Sequence, residues 1–129
     1  MPLLGTSDLD RARLTARLDA TAEHLVVVAL CAAWCSTCRA FRSACEAVAS
    51  GRPAASFVWV DIEEDADLLG DLDVETFPTL AIFAGEALRH YGAVLPHAAL
   101  VERLVDDRAA MMARDAPADV GAIVGKLRI

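Results

Sequence analysis

Cys35 and Cys38, in the run Trp34-Cys35-Ser36-Thr37-Cys38, are the residues of this chain best placed to do chemistry. The apolar stretch Leu25-Val26-Val27-Val28-Ala29-Leu30 precedes them and a helix-compatible stretch, Arg39 to Ala44, follows. A strand that delivers a C-x-x-C pair to the start of a helix is a redox arrangement. The first cysteine meets the positive end of the helix dipole and the unpaired N–H groups of the first turn. Both favour the thiolate, the species that attacks a disulfide. The second cysteine lies about one helical turn on and can close a disulfide with the first.

Zinc sites use the same spacing, but a closed zinc site takes four ligands, usually as two such pairs. Cys31 and Cys45 are single, and His24, His90 and His97 carry no ligand pattern. No metal site is therefore expected. Cys31-x-x-x-Cys35-x-x-Cys38 also fits the spacing of a cluster-binding radical enzyme. That reading requires Cys31 on a flexible loop in a much larger barrel, whereas Cys31 ends a strand-like run in a chain of 129 residues. Cys31 and Cys45 are read as packing residues, because free cysteine is among the most buried residue types.

The chain has the length of one domain and an apolar fraction of 56%, which excludes disorder. Its longest apolar run, Leu25 to Trp34, is about half of what a membrane span needs. The segment Met1 to Asp8 has neither a basic region nor an apolar signal core. The expectation is a cytoplasmic protein, with a periplasmic one as the alternative if a signal peptide has been removed. The net charge of −7 argues against nucleic acid and anionic membrane as partners. Lys126 is the only lysine, so no lysine can shuttle protons near the cysteines.

Element by element, Ser7 can cap a helix from Asp8 to about His24, with Leu14, Leu18 and Ala22 on one face. Val26 to Cys31 reads as a buried strand of the parallel-sheet kind. A second helix, Cys35 to about Ser50, stops at Gly51 and Pro53. Ser56 to Asp61 is a strand, Ala66 to about Leu72 a short helix, and Thr79–Phe83 with Ala87–Tyr91 a hairpin turning at Gly85-Glu86. Pro96 opens a long helix at its first position, burying Leu100, Val101, Leu104 and Val105. Residues 115–129 form a C-terminal helical extension to the single domain 1–129. Pro117 suits its start, and Val120, Ile123, Val124 and Leu127 line one face, docked on the domain or offered to a partner.

This order, β-α-β-α-β-β-α with W-C-x-x-C before the second helix, resembles the thioredoxin family over about Leu14 to Asp106. Thr76-Phe77-Pro78-Thr79-Leu80 is similar to that family's cis-proline segment, and Tyr91-Gly92-Ala93 places a glycine where the family does. The resemblance implies an α/β thioredoxin-like fold: a central mixed β-sheet with helices on both faces, here with the extra C-terminal helix. It implies Cys35 as exposed nucleophile, Cys38 as buried resolving cysteine, and a redox-active Cys35–Cys38 disulfide with no other cofactor. Pro78 would face that disulfide across a cis bond, leaving the Phe77 backbone free to pair with an extended substrate. Trp34, Ser36, Thr37, Phe77, Pro78, Gly92 and Ala93 would contact substrate. For Trp34 the alternative is core packing.

The departures matter too. Thioredoxin proper buries an acid six residues before the first cysteine; here that residue is Ala29, and Trp59 replaces the acid's lysine partner. This removes the obvious base for the resolving step. Asp61, two residues along, is a substitute, although the run Asp61, Glu63, Glu64, Asp65, Asp67 reads more simply as a solvated loop and helix start. Ser36-Thr37 brings no imidazolium, so the expected potential lies nearer about −270 mV than about −120 mV. The expected activity is thiol–disulfide exchange on protein disulfide substrates, reset by an unidentified thiol reductant. The alternative is a client-binding module, an assembly factor or co-chaperone, with little redox turnover.

Overall fold

The computed structural model describes residues 3–70, 72, 77–106 and 118–128. Thr76 and Pro117 lie outside them. The elements are β1 (Leu3–Leu4), α1 (Asp8–Ala20), β2 (Leu25–Cys31), α2 (Ser36–Ser50), β3 (Ser56–Asp61), α3 (Ala66–Leu69), β4 (Thr79–Ala84), β5 (Ala87–Ala93), α4 (Ala98–Asp106), α5 (Ala118–Gly121) and α6 (Ile123–Leu127). The strands form one mixed sheet in the order β1-β3-β2-β4-β5. β1, β3 and β2 run parallel, and β4 and β5 run antiparallel to their neighbours.

β2 is central and buried on both sides, so its apolar run need not alternate with polar residues. Its side chains divide between two cores by the period of two. Val27, Ala29 and Cys31 face a cluster with Cys38, Phe41, Cys45 and Val48 of α2 and with Val101 and Val105 of α4. Val26, Val28 and Leu30 face Leu14 and Leu18 of α1, Leu69 of α3, and Val120, Ile123, Val124 and Leu127 of the C-terminal helices. Burying a large aliphatic side chain contributes about 1.5–3 kcal/mol, so each face supplies a substantial core.

Ser7 caps α1 as expected, its Oγ accepting from the Asp10 N–H at 3.2 Å. The helix stops at Ala20, short of His24, and Ala22 is exposed rather than buried. The hairpin opposite is the cause. Gly85 has φ +61°, and a Cβ there would lie 2.2 Å from the Ala22 carbonyl oxygen. Gly85 N–H also donates to His24 O at 2.8 Å, so residues 21–24 form a turn against the β4–β5 hairpin. Similarly, α4 starts at Ala98, leaving Pro96 before the helix rather than at its first position. Val101 and Val105 are buried, while Leu100 and Leu104 pack half-buried against the same cluster.

The C-terminal segment forms two short helices whose Val120, Ile123, Val124 and Leu127 are fully buried. Arg11 of α1 anchors them, donating to the carbonyl oxygens of Leu127 (3.0 Å) and Lys126 (2.5 Å). The apolar stripe is thus docked on its own domain and offers no free face to a partner. No helix among the described residues is long and apolar enough to cross a membrane.

Candidate active site

β2 ends at Cys31, and residues 32–35 turn the chain into α2, with Cys35 N–H donating to Ala32 O at 3.1 Å. Cys35 is the N-cap residue of α2, in an extended conformation and without a side-chain capping bond. No acidic residue occupies the first turn, so the N–H groups there have no competing carboxylate. The alanines of α2 favour helix, and Cys38, Phe41, Cys45 and Val48 make its buried stripe. Cys35 is half-buried, Ser36 and Thr37 are exposed on the first turn, and Cys38 points inward at 2% exposure.

The outer wall of the site comes from two distant segments. Trp34 is 63% exposed, which settles it against core packing. Its ring meets Phe77 edge-to-face at 5.7 Å, and its Nε1 donates to Glu63 Oε1. The Phe77–Pro78 bond is cis, Phe77 is half-buried and Pro78 is buried. Val94 N–H donates to Pro78 O at 3.0 Å, while Gly92 and Ala93 pair with Leu80 and Thr79. Phe77 and Cys35 both pack at the margin of the cluster that holds Cys31 and Cys38. Trp34, Cys35, Phe77, Pro78, Gly92 and Ala93 therefore gather at one end of the sheet. Ser36 and Thr37 stand at the same end and face solvent.

A second surface approaches from the other side. A cleft of about 370 Å³ is lined by Cys38, Arg39, Arg42, Trp59 and Asp61, among others. None of the outer-wall residues borders it. Trp59 is paired with Ala29 in the β2–β3 register, so an indole and a methyl occupy the positions of the missing ion pair. The Arg42 guanidinium lies 5.2 Å from the Trp59 ring centroid, and Phe41 packs on the same indole.

Asp61 is the residue whose part the sequence reading understated. It is buried and accepts backbone N–H groups from Ala33 (3.1 Å), Glu63 (2.8 Å) and Glu64 (3.0 Å). Asp65 accepts from the Asp61 N–H and from the Thr6 hydroxyl. Three members of the acidic run, Asp61, Glu63 and Asp65, thus make structural contacts. Asp61 ties the turn before Trp34 to the loop after β3, and Glu63 holds the indole. The signal was present: an aspartate at a strand end, able to accept from N–H groups two and three residues on, is an Asx-turn former.

The sulfurs differ from the expected pairing. Cys38 is disulfide-bonded to Cys31, with a Cα–Cα distance of 5.8 Å, and Cys35 carries a free thiol. Cys31 was expected only to pack. It does lie in the core, fully buried, but its sulfur also reaches Cys38, because the end of β2 passes directly beneath the first turn of α2. Cys45 fits the packing reading: its free thiol is buried, and burial pushes its pKa up to about 12. His24 is also buried, with Nε2 2.7 Å from Ser56 Oγ, and burial lowers its pKa. Among the described residues, no cluster of three His, Cys, Asp or Glu side chains could hold a metal ion.

The fold has counterparts among known proteins. A family model described as Thioredoxin matches residues 8–106. A Schizosaccharomyces pombe protein named "putative protein disulfide-isomerase" is 32% identical over 85 residues. The match takes in 64% of this chain, which spans only 17% of that relative's length. Among solved structures, a chloroplastic thioredoxin z superposes with a TM-score of 0.63 at 20% identity, covering 81% of this chain and 92% of the other. Thioredoxin O2 from Arabidopsis thaliana gives 0.62 at 21% identity, covering 83% and 94%.

Proposed function

The chain belongs to the thioredoxin family, and on that premise we propose that it is a thiol–disulfide oxidoreductase acting on protein disulfides. One observation carries the reading: a half-exposed Cys35 at the N-cap of α2 beside the Trp34–Phe77–Pro78 wall, with Cys38 buried one turn further on. Cys35 sulfur attacks one sulfur of a client disulfide. The bond to the other client sulfur breaks, and that sulfur leaves as a thiolate. Cys38, once its proton is lost, attacks Cys35, frees the second client thiol and leaves the domain oxidised. An external dithiol or reductase restores the thiols, a chemistry suited to a reducing compartment such as the cytoplasm.

The outer wall suits an extended client. Phe77 and Trp34 offer apolar contact, and the chain at Phe77 can pair with a client strand. The test is reduction of insulin with dithiothreitol as electron donor. We expect turbidity to develop faster than in the reductant blank. A rate equal to the blank would replace this reading with that of a client-binding module.

A further inference from the structure

We infer that Cys31 is a third redox-active cysteine, and that the oxidised protein holds its disulfide as Cys31–Cys38 with Cys35 left free. The inference rests on the oxidoreductase reading and extends it. Cys38 is common to both pairings. It reaches Cys35 along the first turn of α2, and the structure bonds it to Cys31 at the end of β2. The Cα–Cα separation of 5.8 Å falls at the usual value for a disulfide, so the backbone need not move to accommodate the bond. Cys31 and Cys38 lie in one cluster, with Cys35 packed at its margin. Cys45, in the same cluster, remains a free thiol.

The step is an internal exchange and needs no outside oxidant. After a client is reduced, the domain carries Cys35–Cys38. The Cys31 sulfur attacks Cys38 Sγ. The Cys31–Cys38 bond forms, the Cys35–Cys38 bond breaks, and the proton of Cys31 passes to the departing Cys35 sulfur. The domain remains two electrons oxidised throughout. Because Cys31 and Cys38 are 0% and 2% exposed, an outside thiol reaches that disulfide only after Cys35 attacks Cys38 and returns the bond outward. Burial thereby shelters the oxidised state from adventitious thiols, while Cys35 stays able to engage a client.

The experiment reads the pairing directly. Fully reduced protein is oxidised with one equivalent of diamide, denatured in acid, labelled with N-ethylmaleimide and digested with chymotrypsin. Cleavage after Leu30, Trp34 and Phe41 separates Cys31 from the peptide holding Cys35 and Cys38. The expected product is the 31–34 peptide cross-linked to the 35–41 peptide, with label on Cys35. It should exceed the Cys35–Cys38 loop by about tenfold, the ratio that a gap of about 30 mV between two dithiol pairs produces. In Cys31→Ser, and in Cys31→Ala should the serine variant fold poorly, the label on Cys35 should fall at least as far. A wild-type product with label on Cys31 and a looped 35–41 peptide would overturn the relay. So would a Cys31–Cys38 bond that survives native dithiothreitol while Cys35 and clients turn over, because the bond would then be structural. Insulin reduction by the wild type separates the two claims. Activity with a looped peptide ends the relay and leaves the oxidoreductase standing; a cross-linked product without activity ends the oxidoreductase reading and the relay with it, leaving only the Cys31–Cys38 pairing.

Discussion

The two faces of the sheet have been given different work. One face stacks Val27, Ala29 and Cys31 against α2 and α4, and it contains Cys31, Cys38 and Cys45. The other stacks Val26, Val28 and Leu30 against α1, α3 and the C-terminal helices; its fully enclosed members are aliphatic or phenylalanine. The same seven-residue strand serves both. The sulfur face is bordered by half-buried groups, namely Cys35, Trp59 and Phe77. The aliphatic face is closed by a segment outside the family match, and Val120, Ile123, Val124 and Leu127 are all fully buried there. Chemistry needs access and adjustable groups; stability needs neither. The division implies that the faces can be damaged independently.

The largest expected effects test that independence. Cys35→Ser should abolish insulin reduction, since no other exposed sulfur can attack, while stability changes by less than about 1 kcal/mol because the residue is half-exposed and nearly isosteric. Ile123→Ala should do the opposite. It removes three buried carbons and leaves a cavity, at a cost of about 2–5 kcal/mol in urea unfolding, with activity per folded molecule unchanged. A large loss of activity in folded Ile123→Ala would show that the faces are coupled, and the comparison would fail.

This division also explains what the sequence made legible. The placement of Cys35 and Cys38 at a helix start, the strand Ser56–Asp61, the cap at Ser7 and the docked stripe of the extension all depend on local pattern, and each has its counterpart in the structure. Alternation along β2 reveals that Cys31 and Ala29 share a face, but not that Cys31 ends beneath Cys38, because that depends on where α2 starts over the sheet. β1 was missed because two residues, Leu3 and Leu4, are too short to show periodicity. The end of α1 was misjudged because the stop comes from Gly85, more than sixty positions away in sequence, and not from any breaker in the helix. Asp61 was discounted because an acidic run normally means solvent, and its buried partners are backbone N–H groups without sequence identity.

The next effect concerns the proton on Cys38. The sulfur face has Ala29 and Trp59 where a buried acid would assist resolution. Cys38→Ser should trap clients on Cys35, and wild-type mixed disulfides should decay slowly near neutral pH, since a positioned base contributes about 10²-fold or more. Ala29→Asp should shorten their lifetime if water from the cleft reaches the new carboxylate. Asp61 lines that cleft with Cys38, but backbone N–H groups already occupy its oxygens. If Asp61→Asn slows decay sharply and Ala29→Asp has no effect, the base is Asp61. Equal lifetimes in all three proteins would mean that no nearby carboxylate matters.

A smaller effect is expected at the outer wall. Trp34→Ala removes the edge-to-face contact with Phe77, and such contacts are worth about 0.5–1.5 kcal/mol. At 63% exposure the indole contributes little to folding. The KM for a peptide disulfide should rise several-fold with kcat and melting temperature nearly unchanged. A drop in melting temperature instead would make the Trp34–Phe77 contact part of the core.

The smallest effect at neutral pH belongs to Cys45, which distinguishes the faces by titration. An unfolded thiol ionises near 9.0, whereas burial pushes Cys45 up to about 12 in the folded protein. Between those values the unfolded chain has lost a proton that the native state keeps, so stability falls as pH rises. The contribution is complete below about pH 9 and is lost progressively toward pH 12. On the other face, Tyr91 packs at the edge of the aliphatic cluster, and burial raises its pKa from 10.0, so its loss begins later. Urea midpoints measured from pH 7 to 11 should therefore bend downward from about pH 9 in the wild type. In Cys45→Ala they should stay level to about pH 10, with Tyr91→Phe removing the later decline. If Cys45→Ala and wild type bend at the same pH, Cys45 is reached by solvent, and the sulfur face is more open than its packing indicates.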